Sequence, residues 1–492
     1  MQPITKKILC VLLLPVLLLA GIACTGNRGG AGESSGTGNA DGSYPYGDDL
    51  PKDLNFGKTE IRFITTPNAI NSIDVGEEDN QSDTVNAAIW RRNREIEERL
   101  NVLITDRKIN YTQLSAQVGD SVMSQGDDYE VALICGSIHI AFAPNGWVID
   151  MSRVNHLDFS KEYWGTRLID AISYNGKKYY ATGDLTPFYI ADLFVMYVNE
   201  TVWVDNISPK ESKSVFQIVN DGEWTFEKMK SLIANGHKDL DGNGYMDNND
   251  RYGLLCQIGG PVDAFMLSQG IKYSKKTEEG IEITLGTTKY IDIYEKLYDL
   301  FYATEGVKSL RPEESDDILG RKLFADDQGL FYVDRVVATG LDVFRNMKST
   351  YNIVPLPKYS EKQKNYITSH YNGAQMVGIL STVPAGRYDA VGATLELMSS
   401  VSHETVYPQY YEVALKRKYI QGDESAEMLD LIRKNITNDF LYIWGNAVNN
   451  ITGLTWISLQ AKEASISSRL SANMESYNQA LATLTEKLDA LK

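Results

Sequence analysis

The sequence predicts an α/β protein whose body opens on a mostly parallel sheet with helices on its faces. Strand and helix patterns alternate β-α-β-α-β across residues 61–135, the order that builds such a sheet. The 492 residues are 43% hydrophobic and 23% charged, an ordinary globular composition that excludes a disordered, collagen-like or multi-span membrane chain. The length suits about three domains of roughly 150 residues, or one large two-lobed body. No linker interrupts the body, as expected where a chain crosses between lobes more than once.

Each element has a local reason. Ile61–Thr65 reads as the first strand, and Asp83 is expected to cap a helix to about Leu100 with Val85, Ile89, Ile96 and Leu100 on one face. Val102–Thr105 is a short strand. Leu114, Val118 and Val122 mark a second helix, closed by Gly126-Asp127-Asp128, and Tyr129–Cys135 is a buried strand. Tyr179–Ala181 and Leu193–Val198 read as strands joined by a polar, aromatic loop. Trp224-Thr225-Phe226 opens a helix through Met229, Leu232 and Ile233. Gly329–Val333 and Ile353–Pro357 read as strands, Ala390–Ser400 and Ser425–Lys434 as helices. Ile466, Leu470, Met474, Tyr477, Leu481, Leu484 and Leu488 recur three or four apart, a long amphipathic helix expected to pack on its own body.

The first 23 residues set the compartment. Lys6 and Lys7 precede an apolar run from Ile8 to Ala23, which Pro15 interrupts and which is short for a membrane span. This is an export signal. Its end, Ala20-Gly21-Ile22-Ala23-Cys24, resembles a bacterial lipobox, departing from it where Gly21 replaces the usual Leu. The resemblance implies lipidation of Cys24 and a body anchored on the outer face of a cell membrane. Residues 25–49 are rich in Gly and Ser, so 24–49 reads as lipidated cysteine and flexible tether. Gly32-Glu33-Ser34-Ser35-Gly36 matches a hydrolase pattern but lacks its strand–turn–helix setting.

Lys plus Arg number 48 against 65 Asp plus Glu, a net −17 without a basic block, so nucleic acid is not expected as a partner. Cys135 and Cys256 sit in apolar, strand-like runs and read as buried free thiols, although an exported protein permits their pairing. The five histidines (His139, His156, His237, His370, His403) are scattered, with no zinc spacing and no P-loop nearby. Carboxylate pairs come easily among 65 acids, but no acid–base couple stands out, so no enzyme activity is expected.

One motif is specific. Asp239-Leu240-Asp241-Gly242-Asn243-Gly244-Tyr245-Met246-Asp247-Asn248-Asn249-Asp250 follows the twelve-residue calcium loop: oxygen side chains at positions 1, 3 and 5 (Asp239, Asp241, Asn243), Gly244 at the sharp turn, the carbonyl of Tyr245 at 7, Asp247 at 9 and Asp250 at 12. Asp250 replaces the usual Glu. With Tyr252–Leu255 following as strand, a structural Ca2+ site that pins a loop is expected, not a switch.

In sheets of this kind ligands bind beyond the carboxyl ends of the strands, here Thr66-Pro67-Asn68 and Gly136-Ser137-Ile138-His139. The chain resembles the extracellular solute-binding proteins of family 1, the lipoprotein carbohydrate receptors of ABC importers. The resemblance spans nearly the whole mature chain. It rests on the order of Cys24, Trp147-Val148-Ile149-Asp150-Met151, Asn175–Ala181 before Leu193–Asn199, Trp224-Thr225-Phe226-Glu227 before the calcium loop, Tyr252-Gly253-Leu254, Val354–Tyr359 and Asp423–Asp430.

It implies a two-lobed periplasmic-binding-protein-like fold of class II type, with lobes over 50–190 plus 350–390 and over 191–349 plus 391–492. It also implies a carbohydrate in the cleft, expected to be an oligosaccharide, capture by lobe closure, a monomer, and delivery to permease subunits in the membrane. Cleft candidates by position are Asn68, Ser137, His139, Asp184, Phe188, Tyr189, Asp334, Arg335, Tyr371, Asn372 and Trp444. The competing readings are a lipid-anchored polysaccharide-cleaving enzyme and the same fold binding a peptide or polyamine.

Overall fold

Two sheets divide the body. The computed structural model describes residues 46–66, 73–74, 84–311, 316–419 and 423–491. The signal segment, Cys24, most of the tether, Asn68 and Asp83 lie outside the described residues. The strands, in chain order, are β1 (Thr59–Thr65), β2 (Val102–Lys108), β3 (Val131–Cys135), β4 (Phe194–Asn199), β5 (Tyr252–Gln257), β6 (Ser274–Thr277), β7 (Gly280–Ile283), β8 (Val307–Leu310), β9 (Gly329–Arg335), β10 (Tyr351–Val354) and β11 (Gln375–Ile379).

The first sheet has the order β11-β3-β1-β2. Strands β1, β2 and β3 are parallel and β11 runs antiparallel beside β3. The helices Thr84–Leu100 and Tyr111–Met123 supply its crossovers, their apolar stripes buried at Val85, Ile89, Ile96 and Leu100 and at Leu114 and Val118. The second sheet has the order β10-β4-β9-β5-β8: β8, β5 and β9 are parallel, and β4 and β10 are antiparallel to their neighbours. All six residues of β4 (FVMYVN) are buried, the pattern of a strand covered on both faces. The hairpin β6–β7 stands apart.

The lobe boundaries differ from expectation. β10 lies in the second sheet, so the return to the first lobe comes after Val354 and not at 350. Helix Tyr388–Glu404 packs on helix Thr84–Leu100 of the first lobe, although 391–492 was expected in the second, because almost every residue along it from Ala390 to Ser402 is buried and needs neighbours all round. Helix Asp423–Lys434 then packs on β10. Tyr179–Ala181 is not a strand; only Ala181 bridges to Val377.

The C-terminal helices join the lobes. Helix Phe440–Trp444 packs on helix Thr166–Ile172 and on β6, and helix Gly453–Gln460 on helix Gly260–Ser268 beyond β5. The amphipathic helix Ser467–Ala490 buries Leu470, Tyr477, Leu481, Leu484 and Leu488 against the body. Trp444, expected in the cleft, is fully buried here: its Nε1 donates to the Ile172 carbonyl at 2.9 Å and its ring stacks on Phe440. It is a core residue. Phe188 is likewise core, packed with Ile190 and Val85.

Asp184, also expected in the cleft, instead clasps two helices. Its side chain is 2% exposed, accepts from His403 Nδ1 at 2.6 Å and lies 3.6 Å from the Arg433 guanidinium, while exposed Glu162 faces His403 Nε2. The bond to Asp184 raises the His403 pKa above the usual 6.5, with burial opposing it. A raised folded-state pKa stabilises fully below 6.5 and fades as pH climbs through the folded value.

Two outcomes follow from this packing. Trp444→Ala lowers unfolding free energy in urea by about 3–5 kcal/mol, the range for deleting a buried tryptophan. The thermal midpoint falls as pH rises above 6.5, and His403→Gln flattens that fall; an unchanged slope in the variant would show that the clasp does not titrate.

Candidate functional site

The carboxyl ends of strands from both sheets meet one strap of chain, residues 369–375. On one side Phe194 N donates to Ser369 O at 3.1 Å and Tyr371 N to Asp192 O at 2.8 Å, tying the strap to the start of β4. On the other, Ser137 N donates to Asn372 O at 2.8 Å, Gly136 N to Ala374 O at 3.0 Å and the Cys135 thiol to Gly373 O at 3.0 Å, tying it to the end of β3. Asn372 and Ser137 therefore serve here through their backbones.

Against this strap lies a pocket of about 140 Å³ lined by Phe194, Gln257, Gly260, Tyr332, Arg335 and Tyr371, with Pro261, Val333 and Asp334 completing it. β5 delivers Gln257, β9 delivers Asp334 and Arg335, and the strap delivers Tyr371. The Arg335 guanidinium sits 4.9 Å from the Tyr371 ring centroid and bonds Asp192 Oδ1 at 2.9 Å. Arg335 keeps 27% of its side chain exposed, whereas Asp192 keeps 4%. Burial raises the Asp192 pKa, with Arg335 opposing it, and Arg335 is the member of the pair that lines the pocket. Asp334 points away from that role: Arg321 Nε at 2.7 Å, Tyr332 OH at 3.0 Å and the Arg335 amide at 2.7 Å use its oxygens, so it fixes the end of β9.

Glycines make room for the rings. A Cβ on Gly373 would lie 2.4 Å from Tyr371 Cε1, and one on Gly260 would lie 3.0 Å from Phe194 Cζ. Phe194 and Tyr371 meet edge to face at 6.3 Å.

Of the expected residues, Asp334, Arg335 and Tyr371 come together at the pocket, with Asn372 and Ser137 beside it. His139 does not face it. Its ring is 1% exposed, Nδ1 accepts from Cys135 N and Nε2 donates to Tyr111 O, each at 3.1 Å, and burial lowers its pKa. It is a buried brace between β3 and helix Tyr111–Met123. Tyr189 packs on His370, whose Nε2 donates to Tyr189 O at 2.8 Å and whose pKa burial lowers to about 4. The residues not foreseen are Asp192, Phe194, Gln257 and Gly260. Gly259-Gly260-Pro261 directly after β5 was a legible mark of a strand's carboxyl end; Asp192 carried no such mark. Cys135 borders the site as a free thiol that burial pushes up to about 12, and Cys256 is also free and buried.

The acidic loop stands at the other end of β5. Lys238 and Arg251 pair as an antiparallel bridge that closes its base, and Gly242 and Gly244 take positive φ at its turns. Carboxylate oxygens of Asp239, Asp241 and Asp250 lie within 4.8 Å of one another. Asp239 accepts from Gly242 N at 2.6 Å and Gly244 N at 2.9 Å, Asn243 Oδ1 from Tyr245 N at 2.7 Å, Asp247 Oδ1 from Asn249 N at 2.7 Å, and buried Asp250 from Leu240 N at 2.9 Å and Asp247 N at 2.8 Å. Backbone amides thus preshape a set of hard oxygens, a donor set that fits a calcium ion.

No family model and no curated protein matches the chain. Solved structures do. An ABC substrate-binding protein of Listeria monocytogenes in complex with cycloalternan aligns with 88% of this chain and 99% of its own at TM-score 0.54 and 11% identity. The sugar-binding protein MalE of Xanthomonas citri aligns with 88% of this chain and 98% of its own at TM-score 0.56 and 12% identity. The maltose/maltodextrin-binding domain of Bdellovibrio bacteriovorus, bound to maltotriose, aligns with 88% and 99% at TM-score 0.51 and 14% identity. The chain has the two-lobed α/β fold of the sugar-binding proteins of ABC importers.

Proposed function

We propose that the chain is an exported, lipid-anchored receptor that captures a carbohydrate between its lobes and delivers it to the permease subunits of an ABC importer, without breaking a bond in it. The observation that carries this reading is the pocket itself: strand ends of the second sheet and a strap held by both sheets line it with three aromatic rings, the Gln257 amide and the Arg335 guanidinium. Aromatic faces suit the C–H-rich face of a sugar ring, and planar polar groups such as Arg335, held by Asp192, and Gln257 suit its hydroxyls. The strap and the 181–194 crossing are the segments where a hinge motion would act, so ligand and closure are coupled through one equilibrium. The anchor, at Cys24, would hold the body near the outer membrane face. Asp239, Asp241, Asn243, the Tyr245 carbonyl, Asp247 and Asp250 would hold a structural calcium that stiffens the approach to β5.

A thermal-shift panel of mono- and oligosaccharides, amino acids and polyamines tests the reading on the full chain with calcium present. A sugar at 100 times its dissociation constant adds about 2.7 kcal/mol of stability. A sugar that shifts the midpoint and is recovered intact supports a receptor; a shortened glycan would establish the enzyme reading, and a response to polyamines or peptides alone would replace the sugar. Arg335→Ala and Tyr371→Ala each remove the shift, with losses of about 2 kcal/mol or more, as for residues central to a binding site. Calcium raises the midpoint of the unliganded protein, chelation reverses it, and Asp239→Ala abolishes the response; a midpoint indifferent to calcium would end the metal assignment.

A further inference from the structure

The pocket is small for an oligosaccharide. Its 140 Å³ falls well below the roughly 300–1,000 Å³ of sites that enclose drug-sized ligands, and suits a single ring. A longer glycan has to continue along one wall of the cleft, and the carboxyl edge of the first sheet offers such a wall. Two large apolar side chains are exposed there: Tyr111, 51% exposed, at the start of the helix after β2, and Ile138, 43% exposed, in the turn after β3. Nearly all other apolar residues of these strand ends are buried, so the pair stands out.

Contacts join this place to the pocket. Tyr111 O accepts from His139 Nε2 and His139 Nδ1 accepts from Cys135 N, both at 3.1 Å; the Cys135 thiol bonds Gly373 O at 3.0 Å, and two residues earlier Tyr371 lies under Arg335. His139, buried and braced on both nitrogens, holds the backbone of Tyr111 in place, leaving the phenol outward.

We propose that Tyr111 and Ile138 form an outer subsite that stacks a second or third ring of an oligosaccharide whose first ring fills the pocket, making Tyr111 a determinant of chain length. This rests on the carbohydrate reading of the pocket. The tyrosine ring supplies a rigid face for an apolar sugar face, and Ile138 extends it.

Titration calorimetry on the full chain with calcium, using matched pairs (glucose and maltotriose, mannose and mannotriose, galactose and galactotriose), tests it. In the pair the wild type binds, Tyr111→Ala weakens the trisaccharide on the order of tenfold and leaves the monosaccharide unchanged. Tyr111→Trp restores trisaccharide binding, and Ile138→Ala gives a smaller loss of the same kind. An unchanged trisaccharide affinity in Tyr111→Ala, or equal losses for both sugars, overturns the subsite while leaving the receptor reading intact. A wild type that binds none of the sugars overturns both.

Discussion

The strap from Ser369 to Gln375 is the constraint on which the site depends. Its amides and carbonyls are divided between the start of β4 in one sheet and the end of β3 in the other, so the segment that carries Tyr371 into the pocket is held by both sheets. The ionic pair of Arg335 with Asp192 gains its meaning from that arrangement. Asp192 also accepts the strap through its backbone, so the charge that steadies Arg335 and the carbonyl that steadies Tyr371 belong to one residue. Removing either partner of a buried pair leaves a charge without compensation, which is why such pairs are sensitive to truncation.

The two ends of β5 show how the second lobe is organised. At its start, the acidic loop is closed by the Lys238–Arg251 bridge and by Tyr252 OH, which donates to Asp247 O at 3.1 Å. At its far end Gln257 and Gly260 line the pocket. A loop shaped by Asx turns therefore fixes one end of a strand whose other end lines the pocket, while β9 alongside is fixed by Arg321 and Tyr332 through Asp334.

Much of the fold was legible where one periodicity dominated. The helices of the opening β-α-β-α-β run and the last helix follow apolar spacing that burial then bears out, and helix Tyr388–Glu404 was legible as a helix though it is buried all round. Tyr179–Ala181 misled because aromatic, β-prone residues there are buried by helices and turns, not by a ladder. The site was half legible. Arg335 closes a strand that is visible in sequence, and Tyr371 lies in the segment before β11; that His139 would be consumed by two backbone groups, or that Trp444 would face Ile172, depends on packing between segments far apart in the chain. Asp192 was invisible for the same reason.

That separation has its own consequence for how the protein comes into being. Cys135 and Gly373 are 238 residues apart and Arg335 and Asp192 are 143 apart. Closing such distances is slow, because chain entropy is lost before the contacts reward it. A chain that emerges from its amino-terminal end would complete its first sheet only once β11 had emerged, and until then the edge of β3 would stand open to any extended segment nearby. The first sheet is thus the element longest left incomplete relative to its start, since β1 waits more than three hundred residues for β11 to close its antiparallel edge.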